Sequence, residues 1–146
     1  MRIQAMSRKE TEKQPRDTAL ARFDGGSEVA SRNIVIAREM ARLDIGQTVI
    51  VRSGTVVAVE ALEGTNDTIR RGGELARSGA VMVKVAKPSQ DMRFDVPVIG
   101  LETIRIAAEA RLRVIAVEAG KTLLLERDAI VDLANHSKIS IVGRTC

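Results

Sequence analysis

The sequence predicts an α/β fold: a mixed, largely parallel sheet with flanking helices and a β-hairpin, in a single domain. Three observations carry this. Val- and Ile-rich runs of strand length recur at 48–60, 80–86, 114–118 and 139–143. Segments with helical apolar spacing separate most of them. The resulting order of strand, helix, strand, helix, strand calls for parallel pairing through right-handed crossovers. A chain of 146 residues with 45% hydrophobic content can build one real core, and with aromatics at 1% that core must be aliphatic.

Residues 1–26 are polar and charged and end in "DGG", so they are expected to form a disordered or poorly ordered basic tail; the folded domain is placed at 27–146. Ser27 reads as a helix N-cap. The helix after it carries Val29, Ile36, Met40 and Leu43 at helical spacing. In "TVIVRSGTVVAVE" two Val-rich runs flank Ser53–Gly54, which reads as a tight hairpin. "EALEGTND" interrupts the apolar pattern, and Asn66 or Asp67 can cap a helix running to about Arg77. That helix contains Gly72 and Gly73, each costing about 1 kcal/mol against Ala in a helix interior. A close neighbour or an early helix end would explain the pair.

"AVMVKVA" (Ala80 to Ala86) is a strand with Val81, Val83 and Val85 on one face and Met82, Lys84 and Ala86 on the other. A charged, irregular loop follows. Then come a helix of about Leu101 to Leu112, the strand "VIAVE", a Gly turn leading to a further strand "TLLLE", a short helix "RDAIVDLANH" and a last strand "ISIVG".

Charge and composition exclude several function classes. The net charge is +4, but residues 1–23 hold six basic and three acidic residues, leaving +1 for the rest. A near-neutral body with only Phe23 and Phe94 as aromatics argues against nucleic-acid binding. The single cysteine, Cys146, allows no internal disulfide. With His136 as the one histidine, zinc sites and Cys–His or Ser–His–Asp catalysis lack components. No apolar run reaches the roughly 18 residues of a membrane span, and no secretory signal is evident, so a cytoplasmic location is expected.

Ligands of open α/β sheets bind beyond the carboxyl ends of the parallel strands. Three loops meet that criterion and should converge: "EGTND", "KPSQDMRFD" and "EAGKT". In the first, Gly64, Thr65 and Asn66 precede a helix whose free N–H groups suit an anion; a plain capping loop is the alternative. In the second, Lys84 must reach an anion or water from inside an apolar strand, and Lys87 sits at the strand end. Asp91 and Asp95 are hard oxygen ligands of the kind magnesium takes in ones or twos. A surface loop with Lys87–Asp91 or Arg93–Asp95 ion pairs reads equally well. Arg70 or Arg71 of "RRGGE" could serve a phosphate, or simply form a solvated helix face. "EAGKT" is not a P-loop, because position 115 is Ile where that motif needs Gly, but Lys121 could face the site.

The stretches "LDIGQTVIVRSGTVVAVEALEGTNDTIRRGGEL", "VKVAKPSQDMRFDVPVIG" and "VIAVEAGKTLLLER", in that order, closely resemble the C-terminal domain of the LpxI-type UDP-2,3-diacylglucosamine pyrophosphatases over roughly residues 28–143. The resemblance implies magnesium-dependent cleavage of UDP-2,3-diacylglucosamine to UMP and 2,3-diacylglucosamine 1-phosphate (lipid X) in lipid A synthesis, with peripheral contact at the inner membrane. It puts Gln90, Asp91, Arg93, Asp95 and Pro97 on the family's "QD-x-R-x-D-x-P" stretch. Asp91 is then the leading catalytic and metal-binding carboxylate and Asp95 the second. Lys84 and Lys87 would hold the diphosphate, with Gln90, Arg93, Gly64, Thr65, Asn66, Arg70 and Lys121 as further substrate contacts. Asn66 stands where the family more often has Asp, so it can cap or ligate but not act as a base. The family's N-terminal domain has no counterpart in residues 1–26. A homodimer through the 48–60 hairpin, or a separate N-terminal-domain partner, follows as an expectation. So does the alternative of a non-catalytic UDP-sugar- or phosphate-binding module.

Overall fold

A computed structural model describes residues 26–145. Apart from Gly26, the expected tail lies outside these residues. Gly26 opens helix α1 (Gly26–Arg42), one residue before the expected cap Ser27, which is therefore helical. The helix buries Ile34, Ala37 and Ala41. Leu43, expected on its apolar face, falls just past its end and is 57% exposed.

Strands β1 (Thr48–Arg52) and β2 (Thr55–Val59) form the expected hairpin, with Arg52 opposite Thr55. Ser53 and Gly54 both take positive φ, 49° and 80°, as a tight two-residue hairpin turn of matching twist requires. Helix α2 (Thr65–Ala76) follows. Its cap is Gly64, at φ 86°, and no side chain caps it; Asn66 and Asp67, the expected caps, lie inside the first turn. Strand β3 (Val81–Lys84) leads into the charged loop and a two-residue strand β4 (Val98–Ile99). Then come α3 (Leu101–Glu109), β5 (Val114–Glu118), β6 (Leu123–Leu124), α4 (Arg127–His136) and β7 (Ser140–Arg144).

The main sheet has the order β2-β1-β3-β5-β7. The β3–β5 and β5–β7 pairs are parallel, while β1 is antiparallel to both β2 and β3. Reversing twice, β2 points the same way as β3, β5 and β7. Four of five strands therefore end on one edge. A second sheet pairs β4 with β6 in parallel. β6 falls within the expected "TLLLE" strand, shortened to two residues, whereas β4 was not visible in the sequence, because two residues show no periodicity.

The side-chain alternation of β3 sorts two cores. Val81, Val83 and Val85 pack with Val49, Val51, Val114, Ala116 and the apolar face of α1. Met82 packs on the opposite face with Ile50, Ile69, Ile104, Ile115 and Ile130, beneath α2, α3 and α4. The domain is thus a sheet with α1 on one face and three helices on the other. The glycine pair of α2 permits this packing. A Cβ on Gly72 would lie 2.6 Å from Ile50 Cβ, and one on Gly73 would lie 2.5 Å from Ala110 Cβ. The close approach expected from the pair is real at both positions.

Candidate functional site at the carboxyl edge

The three loops expected to converge do so. The β2 exit is tied back by Glu60 N donating to Thr48 O at 2.8 Å, and Thr48 stands opposite Lys84, which stands opposite Val117. Parallel strands feed helices whose N-termini start on this same edge. Those of α2 and α3 are preceded by glycines, Gly64 and Gly100, with no side-chain cap.

Lys84 is the centre of the site. It is only 7% exposed, on the α2 side of the sheet. Its Nζ donates to Thr65 Oγ1 at 3.0 Å, and Thr65 Oγ1 donates to Glu60 Oε1 at 3.2 Å. Burial pushes the Lys84 ammonium below its ordinary value; the negative charges of Glu60 and then Asp95 oppose this. An ammonium has three donors, and this bond uses one.

Glu118, at the end of β5, is a second hub and has its side chain 4% exposed. Its Oε2 accepts from Ala86 N at 3.1 Å; its Oε1 meets Lys121 Nζ at 2.7 Å and Arg38 Nη2 at 3.4 Å. It ties the ends of β3 and β5 to α1 and to the Gly120 turn. The Thr122 hydroxyl donates to the Glu118 carbonyl at 3.1 Å.

The loop after β3 is exposed and ion-paired, but not in the expected pairs. Lys87 Nζ meets Asp44 Oδ1 at 2.7 Å, and this bond raises the Lys87 pKa. Asp91 takes Arg93 on both oxygens, Nε at 3.0 Å and Nη2 at 2.8 Å, with the Arg93 amide as a third donor. The Arg93 side chain, then its amide, hold the Asp91 carboxyl below its usual range. Gln90 Oε1 accepts from Lys87 N at 2.9 Å, while its buried Nε2 has no partner. Arg93 also lies over the Phe94 ring, 5.4 Å from its centroid.

The structure therefore brings Lys84, Thr65 and Gly64 together, with Asp95 near enough to bias both Lys84 and Lys87. Asn66 sits half-buried in the same first turn of α2. Lys121 reaches the edge through Glu118. Arg70 goes elsewhere: it pairs with Asp67 at 2.8 Å and lines a cleft of about 550 Å³ with Arg77, Glu109 and Arg111. Arg71 instead braces the loop, bonding Glu63 and the Val59 carbonyl at 2.9 Å. Sequence reasoning missed Glu60, Glu118, Thr48, Arg38 and Asp44. A signal existed for the first two, since "VVAVE" and "VIAVE" each close an apolar strand with a glutamate.

Fold and edge together define a mixed α/β domain that concentrates lysines, carboxylates and uncapped helix N-termini where its parallel strands end. The chain belongs to the LpxI C-terminal domain family, whose match spans residues 11–142 and so begins upstream of the stretch that carried the resemblance. It is similar to the UDP-2,3-diacylglucosamine pyrophosphatase LpxI of Caulobacter vibrioides, 41% identical over 116 residues, covering 74% of this chain and 41% of the relative. The chain thus spans about two-fifths of that relative's length. Among solved structures it is similar to Acinetobacter baumannii RibD, form 1, at 14% identity and TM-score 0.46, over 80% of this chain and 35% of that one.

Proposed function

We propose that this domain supplies the diphosphate-handling site of a UDP-2,3-diacylglucosamine pyrophosphatase. In that reaction water attacks one phosphorus and the bond to the bridging oxygen breaks. UMP and 2,3-diacylglucosamine 1-phosphate leave. The observation that carries the reading is the buried Lys84 ammonium, with two donors to spare, beside the uncapped N-terminus of α2. A diphosphate there meets a fixed cation and free N–H groups in a partly dry setting, where charge stabilisation is strongest. In this reading Lys87, Gln90 and Arg93 of the loop after β3 and Lys121 of the Gly120 turn would add further donors on exchanging their present partners, and Gly64, Thr65 and Asn66 form the turn at the start of α2.

Magnesium is the cofactor of this reading, and the donor set suits it. Asp91 and Asp95 are one turn apart, with Asp95 N bonded to Asp91 O at 2.8 Å. Among the described residues no three His, Cys, Asp or Glu side chains gather as a metal cage. A cation that takes one or two carboxylates and fills its shell with water and phosphate asks for none. Bound there, it would neutralise phosphate charge and acidify a water. Asp91, held ionised by Arg93, is a ligand and an electrostatic group rather than a strong base.

No helix among the described residues is long and apolar enough to cross a membrane. In this reading the lipid-linked substrate is met by peripheral contact at the cytoplasmic face. One observation favours a second reading, a non-catalytic UDP-sugar- or phosphate-binding module. Both Asp91 oxygens are already taken by Arg93. The purified chain, given UDP-2,3-diacylglucosamine with magnesium and then with EDTA, separates the two. Magnesium-dependent UMP release supports the enzyme; UMP binding without release supports the module; neither result refutes both readings.

A further inference from the structure

We infer that Glu60 is a positioning residue which, through the Thr65 hydroxyl, aims the Lys84 ammonium at the carboxyl edge. The inference rests on the reading of Lys84 as a diphosphate-binding group. Glu60 lies just past β2 and is 9% exposed. Its backbone is fixed on two sides: its N–H donates to Thr48 O, and Gly46 packs so closely that a Cβ there would fall on the Glu60 carbonyl.

The direction of each hydrogen bond follows from chemistry alone. An ammonium only donates and a carboxylate only accepts. Thr65 must therefore accept from Lys84 and give its one proton to Glu60. The 3.4 Å contact between Thr48 and Thr65 then has Thr48 as donor. Thr65 Oγ1 gives one bond and receives two, so the hydroxyl has no freedom left. Lys84 is held at a single point, with its other donors unspent.

Glu60 is more than a cap for Thr65. Its Oε2 is buried with no hydrogen-bond partner. A glutamine would accept from Thr65 equally well without burying a charge, which is costly when unpaired. The charge has a use next to a buried lysine. The charged groups that bias Lys84 are Glu60 beyond β2 and Asp95 in the loop after β3. Thr65 on α2 and Thr48 on β1 are neutral, and Val117 opposite on β5 is apolar. Of the two carboxylates, Glu60 acts the more strongly.

The test follows Lys84 directly in the free protein, by pH titration of its ¹³Cε resonance in lysine-labelled chain, assigned with Lys84→Met. Glu60→Gln keeps the acceptor and removes the charge. Its Lys84 midpoint is expected to fall by about one pH unit or more, as when an adjacent opposite charge is lost. Inorganic pyrophosphate affinity should then drop about tenfold on the alkaline side and return close to wild type on the acid side. Thr65→Val should weaken pyrophosphate binding at both ends of the range, because the aim is lost. An unmoved Lys84 midpoint in Glu60→Gln overturns the inference. If that variant does not fold, unchanged pyrophosphate affinity in Thr65→Val overturns it instead. Failure of the underlying reading looks different: Lys84→Met itself would bind pyrophosphate normally, while the titration still reported the Glu60–Lys84 coupling.

Discussion

Replacing Gly72 by Ala sets two effects of opposite sign against each other. In a helix interior Ala is favoured over Gly by about 1 kcal/mol, so propensity alone predicts stabilisation. The packing predicts the reverse. The new methyl would lie 2.6 Å from Ile50 Cβ and Cγ1 and 2.7 Å from Cγ2. Carbon atoms rest about 3.5–4.0 Å apart, so α2 or β1 must retreat by about 1 Å. Ile50 is fully buried in the middle of the sheet and cannot swing aside. Overpacking of this kind costs about 1–3 kcal/mol, and more when backbone must move. The net expectation is a loss of up to about 2 kcal/mol, seen as a lower urea midpoint at unchanged slope. Because Thr65 rides on the same helix, pyrophosphate binding should weaken too. A raised midpoint would refute the packing argument. Gly73→Ala should behave alike, since its methyl meets Ala110 Cβ at 2.5 Å and the Ala110 carbonyl at 2.7 Å.

Four further outcomes are expected. Glu118→Ala strands the buried Ala86 N–H and should cost about 2–3 kcal/mol, whereas Lys121→Met removes a half-exposed cation and leaves Glu118 its bonds to Arg38 and Ala86 N, so it should cost less; equal urea midpoints would contradict the hub. Burial lowers Lys84 below its ordinary 10.5, so between the lowered value and 10.5 the unfolded chain binds more protons than the folded one. Wild-type stability should therefore rise with pH across that interval, and Lys84→Met should flatten the rise in urea midpoints measured from neutral to alkaline pH. Asp91→Asn should abolish magnesium-dependent UMP release with little change in unfolding midpoint. Arg93→Met should shift the acid limb of the activity profile upward, because the guanidinium that depresses Asp91 is gone; an unmoved limb assigns it to another group.

Much of the fold is legible in the sequence because its signals are periodic. The alternation of Val81, Val83 and Val85 against Met82 and Lys84 places one valine face and one lysine face, and the two cores follow it. The glycine pair announces a close approach, which Ile50 and Ala110 supply. What escaped has a physical reason in each case. Capping propensity favours Asn66 or Asp67 over Gly64, but a glycine at φ 86° lets the chain turn with the first amides of α2 uncapped. Lys87 pairs with Asp44, 43 positions away, so no local spacing could find it. Glu60 and Glu118 look like ordinary strand ends until the sheet sets one beside Lys84 and the other beneath Ala86. The charges at Lys84, Asp91 and Asp95 were visible as unusual; their partners were a property of the tertiary fold.

The reversed strand β1 also bears on the order in which the site comes into being. Thr48 and Glu60 belong to one hairpin with a two-residue turn, so they meet through short-range contacts that close on the microsecond scale. Lys84 and Glu118 join through pairings that span whole crossover helices, and the closure of such loops slows folding. The hairpin thus acts as a template: half of the Lys84 relay is in place before Lys84 arrives. In pulse-labelled hydrogen exchange, the β1–β2 amides should gain protection before those between β1 and β3; simultaneous protection would show that the lysine and its carboxylate assemble in a single step.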